Sequence, residues 1–492
     1  MEGSEDILKR AFSAHNAGRH DEAERLCREL VQSGFEDAQL CFLLGMILHQ
    51  TGRDSEAASW LERAARMQSG DARIFSGLGV VWQKLGDPAK AASHFARAAE
   101  LEPGRANHFY SLGNAVYQLD ELERATEAFQ RAVELNPRDA ESWNNLGKCL
   151  KEMNRIHESI AAYDRALELN PGYLLALQGR SISRLTAGRL AEGYRDYELR
   201  WLTLKPREFA VPRWAGQPIP GKTLFLHAEQ GFGDGIQSAR YPSLARQRCA
   251  RVILECRPEL KTLLAHSRVA DEVIAFGEAI PPCDYYTSVI SLPGLLGFTL
   301  ETLPGETPYL LAPPAPQPLL APGENLKVGL VWAGSSTHRD DANRSLPLAL
   351  LAPVLAVPGI SFYSLQQPRP QRDASTLKSF PQLTELGGFE DYLATASVVA
   401  QMDLVISVDT SVAHLAGALA KSVWTLIQFA PDWRWFGQFG ERTPWYPTMR
   451  LFRQPRRGDW PSVITQVAAE LTRRVVVHRM AMGLAKLKQA MS

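Results

Sequence analysis

A period of 34 residues runs through the first 200 residues and constrains the fold more than any other feature. A Leu-Gly pair, an L-x-P triplet, small residues and aromatic residues each recur at this step. The recurring positions are Gly45, Gly79, Gly113 and Gly147; Ala57, Ala91, Ala125 and Ser159; Ala64, Ala98, Ala132 and Ala166; Phe75, Phe109 and Trp143; Phe95, Phe129 and Tyr163; and Pro103, Pro137 and Pro171. Such a period predicts stacked pairs of helices.

Each kind of residue has a physical task in a helical pair. Small residues let two antiparallel helices approach, large ones fill the gap to the next pair, and proline ends the second helix. The units from about 38 to 171 resemble tetratricopeptide repeats. We expect residues 4–37 to be a degenerate capping pair and residues 174–203 a closing pair, which gives a solenoid over 1–203. The fold class implies a groove for a protein or peptide partner.

The pattern changes after Pro206, where strand-like runs alternate with helical ones. This alternation predicts parallel sheets covered by helices. We expect two similar Rossmann-like domains at 204–305 and 327–475, a proline-rich linker at 306–326 and a C-terminal helix at 476–492. The expected strands are 223–228, 251–256, 272–276, 285–290, 327–332, 360–366, 403–409 and 423–428. Ligands of such sheets bind at the carboxyl ends of the strands.

Composition excludes several classes of function. Lysine plus arginine and aspartate plus glutamate both number 54, so bulk electrostatics does not favour a nucleic-acid partner. The six cysteines are scattered without a C-x-x-C motif, which argues against a disulfide framework or a zinc site. We find no signal peptide and no apolar run of roughly 18 residues. We therefore expect a cytoplasmic protein without a membrane span.

A glycine loop follows the first expected strand of the α/β region. Glycines alternate at 231–235, with Ile236 where a dinucleotide fingerprint has its third glycine. Asp234 inside the loop would repel a pyrophosphate, so we expect the glycines to turn the backbone and present this carboxylate as a general base. A carboxylate that only caps the turn is the alternative for Asp234. Glu229 is a rival base, or an anchor for the loop.

A second candidate site is the stretch "DLVISVDTSVAHLAGALA" at 403–420. A buried strand ends at Asp409, and Thr410 and Ser411 stand where a helix begins. Free N–H groups at a helix start favour an anion such as a diphosphate, and His414 lies within reach in the first turn. A capped helix without a ligand is the alternative.

A third candidate site is the polar loop "VWAGSSTHRDDANRSLP" at 331–347. Ser335 and Ser336, with Arg339 and Arg344, offer hydroxyls and positive charge for phosphate; a solvated loop is the alternative. We interpret the adjacent Asp340-Asp341 pair as a surface turn rather than a metal site.

An aromatic stretch, "APDWRWFGQFGERTPWYP", covers residues 430–447 just after an expected strand. We predict that its aromatic rings, Trp433, Trp435, Trp445 and Tyr446, either wall a ligand or pack between the domain and the C-terminal helices.

Residues 205–475 resemble the heptosyltransferase-like glycosyltransferases of family 9, which have the GT-B fold. Gly233-Asp234 and the run Asp409-Thr410-Ser411-x-x-His414 carry the resemblance. A bacterial group that fuses tetratricopeptide repeats to such a domain is similar over nearly the whole chain. It shares "HAEQGFGDGIQSARYPSL" and "VDTSVAHLAGALAKSVWTLIQFAPDWRW".

The resemblance implies a role for each candidate residue. Asp234 would face the acceptor hydroxyl, Asp409 would hold the donor-sugar hydroxyls, and Thr410, Ser411 and His414 would bind the donor diphosphate. Ser411 replaces a common glycine. Further phosphate contacts belong to the loop 335–344, where Arg344 would replace a common lysine. No metal and no cofactor are expected besides the nucleotide-sugar donor.

The function that follows is an inverting hexosyl- or heptosyltransferase that modifies a protein recruited by the repeats. O-linked N-acetylglucosamine transferase is similarly organised, but its asparagine ladder is reduced here to Asn145, with Leu43, Gly77 and Ser111 at the equivalent positions. Two alternatives remain open. One is transfer to a lipid-linked or surface saccharide, and the other is a scaffold whose transferase-like domain is inactive.

Overall fold

The computed structural model describes residues 3–202, 207–229, 231–314, 320, 323–337, 340–368, 370–387, 389–437 and 440–491, without the side chains of 485–491. Arg339 and residues 315–319 and 321–322 of the expected linker lie outside the described residues. The chain divides into two compact units, Met1–Arg180 and Ser181–Ser492.

Antiparallel helical pairs build the first unit, as the 34-residue period predicts. In three of the pairs the second helix ends at Leu101, Leu135 or Leu169, two residues before a proline. The helices that begin in this unit are Ser4–Asn16, His20–Gln32, Ala38–Gln50, Asp54–Met67, Ala72–Lys84, Pro88–Leu101, Ala106–Gln118, Leu122–Leu135, Ala140–Glu152, Ile156–Leu169 and Leu174–Thr186.

The repeating glycines lie against the repeating large side chains. A Cβ atom built on Gly79 would lie 2.5 Å from Cε1 of Phe95, and one on Gly113 would lie 2.7 Å from Cε1 of Phe129. These distances leave no room for a side chain, so the period reflects close contact within each pair. The predicted tetratricopeptide packing is confirmed.

The closing pair is confirmed as a pair of helices, the second being Leu190–Tyr197. From Ser181 onward, however, these residues belong to the second unit. Leu185, Leu190 and Tyr194 are buried in the same core as Trp214 and Leu226 of the α/β region. The end of the sequence-defined repeat array is therefore part of the α/β core.

Two parallel sheets organise the second unit, in the strand orders β3-β2-β1-β4 and β10-β9-β8-β5-β6-β7. Both orders reverse direction beside the first strand of the sheet, between β1 and β4 and between β5 and β8. This is the doubly wound arrangement, in which ligands bind where the order reverses. The strands are β1 Ile219–His227, β2 Cys249–Cys256, β3 Glu272–Ala275, β4 Tyr285–Ser288, β5 Leu326–Val331, β6 Ile360–Ser364, β7 Leu383–Glu385, β8 Leu404–Val408, β9 Val423–Ile427 and β10 Met449–Arg453.

Two of the helices that the sequence pattern predicts are broken. A helix expected over 236–248 is interrupted at Pro242, which cannot continue it, and one expected over 346–356 is a 3₁₀ helix followed by a short α-helix. The α-helices are Phe232–Ser238, Pro242–Ala245, Pro258–His266, Leu292–Leu296, Asp341–Arg344, Ala352–Leu355, Ala374–Leu377, Tyr392–Val399, Ser411–Ala418 and Trp460–Met491. Short 3₁₀ helices are Glu198–Leu202, Arg246–Arg248, Val289–Ser291, Leu348–Leu351, Gln371–Asp373 and Trp433–Trp435.

Two large cores stabilise the α/β region. One joins side chains of both sheets, such as Leu226 and Val405. The other lies on the opposite face of the second sheet, where Val467 and Leu471 of the last helix pack. Trp433, Trp435, Trp445 and Tyr446 are buried in the first core. These rings therefore pack in the core that the two sheets share.

Candidate active site between the two sheets

The glycine loop of the first sheet and the Asp409 segment of the second sheet meet in the structure. The Phe232–Ser238 helix begins after β1, and the Ser411–Ala418 helix begins after β8. A Cβ atom on Gly233 would lie 3.1 Å from Cδ2 of His414 and 3.8 Å from Cα of Ser411. The places where the two strand orders reverse are thereby brought together.

Asp234 is the charged residue of the loop that faces the second sheet. Its Oδ2 accepts a hydrogen bond of 3.0 Å from the backbone N–H of Gly231, and its Oδ1 pairs with the guanidinium of Arg434. The first contact caps the helix, as the structural alternative predicted. The second points the carboxylate into the space between the sheets, and the side chain stays 20% exposed.

Arg434 is a charged residue of this site that the sequence reasoning missed. Its Nη1 donates to Oδ1 of Asp432 at 2.8 Å, and its guanidinium carbon lies 4.2 Å from the ring centre of Trp433. Burial alone would lower the pKa of Arg434, but the carboxylates of Asp234 and Asp432 hold it above its usual value. The sequence feature that could have indicated Arg434 is the Asp-x-Arg spacing within the aromatic stretch 430–447.

Glu229 anchors the start of the loop. Arg200 donates from Nη2 to its Oε1 at 2.7 Å and from Nε to its Oε2 at 3.0 Å. The pair is nearly inaccessible, with 6% of the Arg200 side chain and 9% of the Glu229 side chain exposed. Burial raises the pKa of Glu229, and the charge of Arg200 opposes this. Both oxygens of the rival base are therefore occupied.

Asp409 follows β8, directly before the Ser411–Ala418 helix. Burial, followed by the charge of Asp432, raises the pKa of its carboxyl group to about 6. Its Oδ1 lies 4.0 Å from Nε2 of His414, and its backbone carbonyl accepts a hydrogen bond of 3.3 Å from Nη1 of Arg344. The predicted site residues His414 and Arg344 thus both lie against Asp409.

The hydroxyl groups of Thr410 and Ser411 bond to neighbouring elements. Oγ1 of Thr410 lies 2.9 Å from Oγ of Ser407, and Oγ of Ser411 lies 2.7 Å from Oη of Tyr392. Thr410 occupies the N-cap position, but its side chain makes no hydrogen bond to the helix backbone. The expected side-chain cap is therefore not formed by Thr410.

His414 is buried in the first turn of this helix. Its ring stacks on Trp435 with 5.0 Å between the ring centres, and its Nδ1 lies 2.9 Å from Oη of Tyr446. Burial, and then the positive charge of Arg434, lowers the pKa of His414 to about 3. The imidazole is neutral at physiological pH.

In the loop after β5, Arg344 contacts Asp409 of the site, whereas the serines do not. The Arg344 guanidinium packs over Gly334 and reaches Asp409, with 15% of its side chain exposed. Ser336 is exposed, and exposed Ser335 bonds to Oγ1 of Thr337 in its own turn, at 2.8 Å.

The Asp340-Asp341 pair is hydrogen-bonded within the protein. Gln428 donates to Oδ2 of Asp340 at 2.6 Å, and Ser345 donates to Oδ1 of Asp341 at 2.7 Å. Among the residues that the structure describes, no three histidine, cysteine, aspartate or glutamate side chains converge as metal ligands.

A cavity of about 20 Å³ lies beneath the glycine loop, lined by Asp234, Gly235, Glu255 and Leu260 among others. It has room for an ordered water molecule. Glu255 is 1% exposed; its Oε2 binds Arg207, while its Oε1 has no partner among the described residues. The first sheet therefore offers a second carboxylate behind Asp234.

Comparisons with known proteins agree with the first unit. Models of the tetratricopeptide repeat match residues 8–72 and 140–173, and a model of the TPR repeat matches 113–153. Solved structures of MamA from AMB-1 and of YrrB, a TPR protein with an unusual peptide-binding site, are similar. They are 22% and 21% identical, with TM-scores of 0.33 and 0.34. They cover 34% and 36% of this chain, and 92% and 90% of their own chains are matched.

One relative matches beyond the repeats. The chain is 30% identical over 331 residues to Protein FlbA of Caulobacter vibrioides, covering 59% of this chain and 54% of that protein. The chain thus spans about half the length of this relative.

Taken together, the chain carries tetratricopeptide repeats, and an α/β region with parallel sheets follows them. In the described part of the chain, no helix combines the length and the apolar character needed to cross a membrane.

Proposed function

We propose that the α/β region is a GT-B-type, metal-independent, inverting glycosyltransferase that uses a nucleotide-sugar donor, and that the repeats recruit its protein acceptor. One observation carries the proposal. The places of strand-order reversal in two doubly wound sheets face each other, and Asp234 lies on one side with Asp409, His414 and Arg344 on the other. A donor and an acceptor held on opposite sheets would meet there.

The second sheet supports the donor role by its distribution of charge. The start of the Ser411–Ala418 helix supplies N–H groups, and Arg344 and Arg434 supply positive charge beside it. Such an arrangement favours the diphosphate of a leaving nucleotide. Asp409, one-fifth exposed, would accept hydrogen bonds from the sugar hydroxyls.

The first sheet supports the base role of Asp234 over Glu229. The Asp234 side chain stays 20% exposed, whereas only 9% of the Glu229 side chain is exposed and Arg200 holds both of its oxygens. In the reaction, the acceptor O–H gives its proton to Asp234 as the oxygen bonds to the anomeric carbon. The bond from that carbon to the diphosphate oxygen breaks, and its electron pair leaves with the nucleotide. The arriving diphosphate competes with Asp234 for Arg434, which frees the base.

The repeats support recruitment of a polypeptide by a polar face that links successive pairs. Asn145 donates to Oδ1 of Asn114 at 3.1 Å, and Tyr110 donates to Glu141 at 3.0 Å. Asn145 therefore bonds to Asn114 of the preceding repeat, which lies one helical turn after Ser111, the equivalent ladder position. Partly buried amides and phenols of this kind would donate to and accept from the backbone groups of a peptide.

The test is a panel of nucleotide sugars assayed for hydrolysis and for mass gain on co-expressed proteins. Wild type is compared with Asp234→Ala, Asp409→Ala and the control Glu272→Gln, which alters a surface ion pair with Arg251. We expect one donor to be consumed by wild type and by the control, and a loss of at least 10²-fold in the two site variants. Full activity of Asp234→Ala would move the base to Glu229.

The scaffold without catalysis is a second candidate, and one observation favours it. Both oxygens of Asp234 are engaged, and Gly233 is in contact with the opposite helix. A scaffold with an inactive domain predicts no thermal shift with any nucleoside diphosphate and no donor turnover. A transferase predicts a thermal shift with its nucleoside diphosphate and turnover of its donor.

A further inference from the structure

A buried chain of hydroxyl groups ends at His414. Oη of Tyr446 lies 2.9 Å from Nδ1 of His414 and 3.3 Å from Oη of Tyr309. Tyr309 donates to the backbone carbonyl of Ile236 at 3.1 Å and accepts from Nη2 of Arg240, also at 3.1 Å. Tyr446 and His414 are nearly inaccessible, and Tyr309 is partly buried.

The single proton of each phenol decides the direction of the chain. Tyr309 donates its hydroxyl proton to the carbonyl of Ile236, because a carbonyl can only accept a hydrogen bond. Tyr446 has one proton for two acceptors, Nδ1 of His414 and Oη of Tyr309. Burial raises the pKa of Tyr446 well above its usual value, so this proton is always present.

The distances and the neighbouring charge select the histidine as acceptor. The contact to Nδ1 is 0.4 Å shorter than the contact to Tyr309, as the 2.9 and 3.3 Å separations show. If Tyr446 donated to Tyr309 instead, Nδ1 of His414 would carry the proton and Nε2 would turn a lone pair toward Asp409, 4.0 Å away. That arrangement is unfavourable beside a carboxylate.

We propose that Tyr446 is a positioning residue that holds neutral His414 in the tautomer with the proton on Nε2. His414 is then a fixed N–H donor at the start of the Ser411–Ala418 helix, suited to an anionic group such as a diphosphate. Only the identity of that anion rests on the proposed function. His414 contributes no proton to the reaction.

The first experiment reads the tautomer without any nucleotide. The full chain is labelled with ¹⁵N in its histidine rings, and His414→Gln identifies the signals of His414. We expect Nε2 protonated and Nδ1 unprotonated, with the Nδ1 shift displaced by an accepted hydrogen bond. Tyr446→Phe should remove that displacement. Tyr309→Phe also loses a phenol hydroxyl, but one that does not contact His414, and it should leave the displacement of the Nδ1 shift in place.

The second experiment measures binding of nucleoside diphosphates by calorimetry. Loss of the hydrogen bond that orients the ring should weaken binding about 3- to 10-fold in Tyr446→Phe, and Tyr309→Phe should stay within about twofold of wild type. A protonated Nδ1 in wild type, or an Nδ1 shift that is unchanged in Tyr446→Phe, overturns the inference. If no nucleoside diphosphate binds wild type, the proposed function fails while the tautomer result still decides the inference.

Discussion

The carboxyl group of Asp409 destabilises the folded protein when it is ionised. Its pKa in the folded protein is raised from the usual 3.8 to about 6, by burial and by Asp432. The folded state therefore binds this proton more tightly than the unfolded state, and the folded state loses stability as the pH rises from about 4 to 6. Above pH 6 the ionised carboxylate opposes folding.

Asp409→Asn should relieve this cost. We expect its free energy of unfolding at pH 7.5 to exceed that of wild type by about 1–3 kcal/mol, since one pKa unit corresponds to about 1.4 kcal/mol. At pH 4 the two proteins should be equally stable. Urea unfolding of both proteins at the two pH values tests this. A variant that is less stable at pH 7.5 would show that the carboxylate is stabilised by contacts.

Residue chemistry was predictable from the sequence where it is local. Asp234 and Asp409 were found because each follows an expected strand and precedes an expected helix, although the structure places Asp234 in the first turn of the Phe232–Ser238 helix. Arg434 was not found, because it meets Asp234 across 200 residues of sequence and no period relates the two positions. The pairing follows from the packing of the two sheets against each other, which sequence patterns do not encode.

Among the helices, the repeating glycines make a sharp prediction about stability. Alanine favours helix over glycine by about 1 kcal/mol, yet a Cβ atom on Gly79 would collide with Phe95. Gly79→Ala should therefore destabilise the repeats, by about 1–3 kcal/mol, in thermal unfolding followed by circular dichroism. Gly104→Ala is the matched control, because its Cβ atom would meet no atom within 4 Å. Equal melting of both variants would contradict the close contact.

The elements themselves differed in how far the sequence specified them. The helical pairs were predictable because the same small and large residues return every 34 positions. Strands β7 and β10 were not predicted, because they are edge strands and β7 has only three residues, two of them exposed. A short edge strand has no long buried run to mark it.

At the scale of the whole chain, the repeat array and the α/β core overlap in sequence. Tyr194 packs edge-on against Trp433, with 5.9 Å between ring centres, and its Cβ would lie 2.9 Å from a Cβ atom on Gly294. A fragment of residues 204–492 lacks Leu185, Leu190 and Tyr194 and should melt well below a fragment of 174–492, or fail to stay soluble. Differential scanning fluorimetry compares them. Equal melting temperatures would place the boundary at 204.

This overlap also bears on how such a chain could be recombined. The boundary between the two units lies inside the Leu174–Thr186 helix, so an exchange of repeat arrays between proteins of this design would succeed only when the crossover falls before this helix. The last helical pair would then travel with the sheets, whatever array precedes it. Its sequence would vary with the sheets that it packs against and not with the repeats before it, although it follows the pattern of the repeats.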